Sequence, residues 1–164
     1  MKIFNVNEFG AIGDGKTLNT EAIQNAIDAC ASCGGGQVLL ENGVYMSGSI
    51  TLKDNVDFHI EHTATLLGSP FVRDYPEKEA PRHVNSFYLP RWRNASFIFA
   101  DEAKNVSITG RGTIDCNGTA FTVPLENGKQ WKYIRINEPT PPRVVFMTGC
   151  KHVLIEGVTM GNQP

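Results

Sequence analysis

The sequence predicts an all-β chain wound as a parallel solenoid and closed at its N-terminal end by one α-helix. Three observations predict it. Residues 34 to 69, "GGGQVLLENGVYMSGSITLKDNVDFHIEHTATLLGS", are rich in strand-type residues, broken every three to five positions by Gly, Asn or Asp. Steps that short favour bends over hairpins. The segments "DNVDFHIEHTATL" (54 to 66), "KNVSITGRGTIDC" (104 to 116) and "KHVLIEGVTMGNQ" (151 to 163) align on an Asn-Val or His-Val step. A further strand precedes each copy, "SITL", "SFIFA" and "VVFMTG". Strand, bend, Val-rich strand, Gly, strand is one coil in which each strand pairs with its equivalent in the next coil, never with its sequence neighbour. Lastly, residues 17 to 33 place Ala22, Ile23, Ala26, Ile27 and Cys30 at helical spacing.

The elements follow in order. "IFNV" is a short strand candidate, and "GAIGDGK" a turn whose glycines suit positive φ. The helix takes Asn19 or Thr20 as its N-cap and Gly34 to Gly36 as its stop. It caps the first coil and covers an apolar end. Strands are expected at Val38 to Glu41, Val44 to Ser47, Ile50 to Leu52, Val56 to Ile60 and Thr65 to Leu67. The cap thus occupies about residues 1–36 and the coils 37–164. Segments 70–94 and 117–142, rich in Pro, Arg and aromatics, are long loops leaving the coil, a common location for function. The final coil presents Val144, Phe146, Val153, Ile155 and Val158 with no polar cap after Pro164, so the expectation is a solenoid incomplete at this end and self-association through it.

With 164 residues, 41% hydrophobic and 20% charged, the chain has the size and balance of one globular domain. A net charge of -2 without a Lys/Arg run excludes a nucleic-acid footprint and an anionic membrane surface as partners. The N-terminus has no apolar signal core, and nothing approaches eighteen apolar residues in a row, which leaves the compartment open. Four dispersed cysteines do not make a disulfide framework. The sequons at Asn94, Asn105 and Asn117 matter only where a glycosylation machinery is met.

Chemistry-bearing residues are few. Cys30 and Cys33 form a C-x-x-C, but at a helix C-terminus running into three glycines, so packing and helix termination account for them. His59, His62, His83 and His152 lack ligand spacing; the i, i+3 pair His59 and His62 is expected to point to opposite strand faces, and no metal or other cofactor is expected. Asp14 and Asp28 read as turn and helix-surface residues, and Glu21 as a first-turn helix carboxylate. "PRWRNASF" differs. Arg91, Trp92 and Arg93 combine guanidinium forks for carboxylates with a ring that stacks on sugar, and Trp131 with Lys132 and Arg135 repeats that chemistry.

Four stretches carry a family resemblance: "FNVNEFGAIGDGKTLNTEAIQNAIDAC", "GGGQVLLENGVYMSGSITLKDNVDFHIEHTATLLGSPFVRDYP", "NVSITGRGTID" and "PPRVVFMTGCKHVLIEGVTMGNQP". In order they resemble the N-terminal part of glycoside hydrolase family 28, the polygalacturonase-like pectin hydrolases. The match is most specific from Gly48 to Pro76 and in "GRGTIDCNG"; the opening motif is shared with other pectate-lyase-like β-helices, phage tailspikes included. The resemblance implies a right-handed parallel β-helix and hydrolysis of galacturonosyl linkages with inversion. It also implies a pectic or other acidic polysaccharide as partner. That chemistry takes a carboxylic acid and a carboxylate about 6.5 to 9.5 Å apart on opposite faces of the sugar. The family's Asn-Thr-Asp, Gly-Asp-Asp, Gly-His-Gly and Arg-Ile-Lys motifs follow the coil that reads "GNQP" here, and the sequence contains no Asp-Asp pair and no Gly-His-Gly. "NTE" at Asn19 to Glu21 and "RIN" at Arg135 to Asn137 fall on the wrong elements. No catalytic residue is therefore transferred, and the 164-residue chain is expected to be inactive alone. The alternative is a non-catalytic β-helix that binds acidic polysaccharide or assembles with another chain.

Overall fold

In the computed structural model, residues 1–77, 95–124, 131–133 and 143–163 are described. Two strands, β1 (Ile3–Asn5) and β2 (Asp14–Leu18), precede helix α1 (Thr20–Ser32). The coils then run β3 (Gly36–Leu40), β4 (Gly43–Ser47), β5 (Ile50–Thr51), β6 (Val56–Ile60), β7 (Ala64–Gly68), β8 (Ser96–Asp101), β9 (Lys104–Gly110) and β10 (Thr113–Asp115). A short antiparallel pair, β11 (Thr122–Pro124) and β12 (Trp131–Tyr133), stands apart from them. The last described coil is β13 (Arg143–Thr148), β14 (Lys151–Ile155) and β15 (Thr159–Gly161).

These strands stack into three parallel sheets. Sheet A runs β1-β3-β6-β9-β14, sheet B β2-β4-β7-β10-β15 and sheet C β5-β8-β13. Every pairing in them joins strands of different coils, as a right-handed parallel β-helix requires. Inward positions form vertical columns: Phe4, Val38, Phe58, Ile108 and Ile155 follow one another through register partners in sheet A. Tyr45, Leu66, Ile114 and Met160 do so in sheet B. Phe58, Ile108, Leu66 and Ile114 are fully buried, so each coil hides the apolar surface that the next one would otherwise expose.

The repeat has a backbone cause. Asn55, Asn105 and His152, the residues before the aligned valines, all adopt positive φ, at 60, 53 and 57°. Asn tolerates this left-handed corner better than most side chains because its amide bonds locally. Five residues on from Asn105 and from His152, Gly110 and Gly157 also lie at positive φ, where a Cβ would overlap the carbonyl oxygens of Ile60 and Gly110 in the preceding coil. Close stacking of coils therefore demands glycine there.

Helix α1 buries Ile23, Ala26, Ile27 and Cys30 over the first coil. It begins and ends within the expected span, but two details differ. Residues Thr17 and Leu18 belong to β2, which has little apolar alternation and exists because β4 pairs with it. Asn19 occupies the N-cap position without capping. Its amide instead receives the Ile12 N–H at 2.7 Å and donates to the carbonyls of Ile12 and Thr17, at 3.0 and 2.8 Å. It thereby pins the glycine turn to the helix. Gln24 closes the free edge of sheet C: its side-chain oxygen accepts the Thr51 N–H at 2.8 Å and its nitrogen donates to the Thr51 carbonyl at 3.0 Å. Among the described residues, no helix is long and apolar enough to cross a membrane.

Candidate saccharide-binding face on sheet C

Two long segments leave the solenoid, one after β7 and one after β10, and re-enter it at β8 and β13. Their re-entry points, Ser96 and Arg143, are register partners on adjacent strands. Both segments therefore open onto the same corner, between sheets B and C. The side chains gathered there are an aromatic pair and a cation. Thr51, Phe99 and Phe146 form one register column on the side of sheet C away from the Ile50, Ile98 and Val145 column. The Phe99 and Phe146 rings lie 5.9 Å apart, tilted by 47°, and the Arg143 guanidinium sits 4.5 Å from the centroid of Phe146. Phe99 is buried and supports Phe146 from the side, so the accessible part is the half-buried Phe146 with the Arg143 guanidinium over it, a ring and a planar cation that suit the C–H face and the carboxylate of an acidic sugar.

A groove of about 390 Å³ adjoins this face, running between the end of α1 and the ends of β5 and β8, with Lys53, Asp54 and Asp101 on its walls. A second groove, of about 600 Å³, lies along α1 on the other side of the Gln24 to Thr51 contact and carries Glu21 and Asp28. Asp28 meets Lys53 at 2.8 Å and accepts from Gln24 at 2.8 Å. Burial opposes ionisation of Asp28, but the Lys53 and Gln24 hydrogen bonds prevail and hold it below its ordinary value.

Of the residues singled out from the sequence, Arg91, Trp92, Arg93, Arg135 and His83 lie outside the described residues. Trp131 and Lys132 stand on β12, opposite Pro124 and Val123 of β11. Cys30 is buried in the core, its thiol pushed up by that burial, while Cys33 is exposed and receives the Lys2 ammonium at 3.4 Å. Glu21 is in the first turn of α1. Asp14 accepts the N–H groups of Lys16 and Thr17 at 2.8 and 2.7 Å, and the Thr17 and Lys16 bonds lower its pKa.

The opposite-face expectation for His59 and His62 does not hold. His62 falls in the turn after β6, where the period of two no longer applies, and both histidines reach one carboxylate: His59 Nε2 is 3.6 Å and His62 Nδ1 3.7 Å from Glu61. His59 belongs to a polar ladder on the outside of sheet A. Asp57 accepts from Gln37 at 2.9 Å and from Ser107 and Thr109 at 2.7 Å each. Since the Thr109 hydroxyl proton goes to Asp57, His59 Nδ1, 2.7 Å from that oxygen, is the donor of its pair. This ladder ties three coils together. Among the described residues, no three His, Cys, Asp or Glu side chains converge as a metal site.

Sequence reasoning passed over Phe99, Phe146 and Arg143. The signal was there: once "SFIFA" and "RVVFM" are aligned as equivalent strands, the two phenylalanines share a register position and an arginine stands at the strand entry.

Residues 3–162 match the family described as rhamnogalacturonase A/epimerase, pectate lyase-like. The chain belongs to this pectate-lyase-like family. Its relatives include polygalacturonases. The chain is 38% identical over 125 residues to an exo-poly-α-D-galacturonosidase of Dickeya chrysanthemi, covering 71% of the chain and 20% of that protein. Its fold matches the family 28 exopolygalacturonase of Yersinia enterocolitica with a TM-score of 0.70 at 26% identity, over 97% of this chain and 34% of that one. It also matches the hyperthermoactive exopolygalacturonase of Thermotoga maritima with a TM-score of 0.74 at 24% identity, over 98% and 42%. The pectate-lyase-like chain thus spans a fifth to under a half of these relatives' length.

Proposed function

We propose that the protein built on this chain hydrolyses galacturonosyl linkages of pectic polysaccharide with inversion. The chain itself supplies the helix cap, the first coils and part of the saccharide-binding wall. The observation that carries this reading is the Arg143 guanidinium stacked on Phe146 at the corner onto which both long segments open, in a chain of polygalacturonase kinship. Arg91, Trp92, Arg93 and Trp131 belong to those segments or their stem strands, and we assign them saccharide contacts as well. Catalysis is assigned to none of these residues, because the acid and base carboxyls of an inverting hydrolase are not among the motifs present. The polygalacturonase kinship favours this reading over the non-catalytic alternative.

Titration of the protein with fully de-esterified galacturonate oligomers tests the reading. Binding should vanish when the carboxylates are methyl-esterified, and Arg143→Ala should weaken it about tenfold, the effect of losing one charge-assisted contact of about 1.4 kcal/mol. Equal affinity for charged and neutral oligomers, or none for either, contradicts it.

For the 164-residue chain by itself the partner reading also includes self-association through the outermost described coil, in which Val153, Leu154 and Ile155 are 43%, 48% and 44% exposed. The strands β13, β14 and β15 each stand at the end of their sheet order, a pairing edge for a second chain. Light scattering should show concentration-dependent association that Leu154→Lys abolishes; a monomer at all concentrations excludes it.

A further inference from the structure

We propose that Phe71 and Arg73 form an outlying subsite for a carboxylate-bearing sugar, extending the saccharide track from β13 toward the helix cap; the proposal rests on the acidic-polysaccharide reading above. Among the residues whose burial is described, Phe71 is the sole Phe, Tyr or Trp left exposed, at 49%. Exposure of a lone phenylalanine is ordinary when its backbone is loose. Here the backbone is fixed on every side. The Phe71 N–H reaches the Ser69 hydroxyl at 3.3 Å, the Asp74 N–H donates to the Phe71 carbonyl at 3.0 Å, and Ser49 of the neighbouring corner donates its N–H to the Asp74 carbonyl at 3.0 Å. The Ser69 hydroxyl donates to the Asp74 carboxylate, and the Tyr75 hydroxyl to the Ser69 carbonyl at 2.8 Å. A turn held this firmly fixes the point at which the ring emerges into solvent.

Arg73 completes the surface. Its guanidinium lies 4.4 Å from the Phe71 ring centroid, and its side chain is 77% exposed. Among the described residues its one ionic neighbour is Asp74, which approaches Nε at 3.9 Å, beyond hydrogen-bond range, and is engaged with Ser69. The donors of the fork thus remain directed at solvent while the stacked ring fixes their plane. A uronate fits both parts, its C–H face on the ring and its carboxylate on the fork. The same arrangement recurs as Arg143 on Phe146. Both pairs sit where the chain passes from sheet B to sheet C: the Phe71 turn is tied to Ser49 at the entry to β5, and Arg143 opens β13. β5 and β13 flank β8, so the two strands run about 10 Å apart, with β13 beginning two register positions earlier than β5. A polyuronate following that corner meets one Arg-on-Phe pair and then the other.

The test is calorimetric titration of the protein and its Phe71→Ala and Arg73→Gln variants with de-esterified galacturonate oligomers of increasing length. Wild-type affinity should rise with length, and both variants should lose that increment, about tenfold for the longest oligomers, while binding the shortest as wild type does. Thermal midpoints should stay unchanged, since both side chains are exposed. Arg73→Gln, which leaves the ring in place, decides the matter if Phe71→Ala folds poorly. Variants that match wild type at every length overturn the subsite alone. A wild-type protein that binds no oligomer overturns the subsite and the reading beneath it together.

Discussion

Asn105 donates its side-chain amide to the side-chain oxygen of Asn55 at 2.8 Å, from the equivalent position one coil away. Both residues hold the left-handed corner that opens the repeat, so one contact joins the backbone requirement of a coil to its stacking on the next. Asn105→Ala should cost about 2 to 3 kcal/mol, from a left-handed penalty of about 1 to 2 and the lost hydrogen bond of about 1. Asn105→Gly should cost less, because it keeps the corner and loses only the ladder. Urea melts that rank Gly below Ala would reverse this assignment.

Gly110→Ala should be far more damaging. The new Cβ would overlap the Ile60 carbonyl oxygen at φ 113°, and backbone atoms of a packed coil cannot yield as a flexible side chain does. A loss of about 3 kcal/mol or more is expected, with Gly161→Ala, which meets nothing within 4 Å, as the tolerated control. Similar melting points for the two variants would contradict the interlock.

The period of the apolar residues and the internal repeat made most of this fold legible, because a parallel solenoid writes the same constraint into every coil. The strand Val56–Ile60 and the helix needed only local pattern. β2 was not legible, since "DGKTL" is a strand through its pairing with β4 rather than through its own residues. Asn42 and Gly43 show the limit from the other side: a dipeptide typical of hairpins is here a corner, with φ 49° at Asn42, that sends β3 and β4 into different sheets. At the candidate face, the aromatic and basic loop residues could be named from composition. The Phe99 and Phe146 column becomes legible only when equivalent strands 47 residues apart are aligned, which the repeat allows but local composition does not show.

The cysteines should separate sharply by reactivity. Burial first, and then the neighbouring Asp115 charge, push the Cys116 thiol up to about 11, and Cys30 is raised by burial as well. At pH 8 a maleimide should label Cys33 fast, while Cys30 and Cys116 resist until the protein unfolds. Uniform labelling of all of them in the native state would mean that the core under α1 is open.

Acid should loosen the contact between helix and coil. Asp28 has a folded-state pKa below its ordinary 3.8, so the folded chain binds its proton less readily than the unfolded one. Its stabilisation is complete above the ordinary carboxylate range and is lost as pH falls through that range to the depressed value. Lys53→Met removes the hydrogen bond that lowers this pKa. The variant should be less stable than wild type at pH 7 and converge on it in acid. A gap that persists unchanged at the lowest pH would assign the Lys53 effect to packing.

The most direct measurement is the anomeric course of polygalacturonate cleavage, followed by NMR, for the protein expressed from the full reading frame that carries this chain, with the 164-residue chain alone in parallel. The account predicts first-formed products of inverted configuration from the former and no reducing ends from the latter. Unsaturated products, retained configuration, or hydrolysis by the 164-residue chain that is lost on changing one of its own aspartates would contradict it.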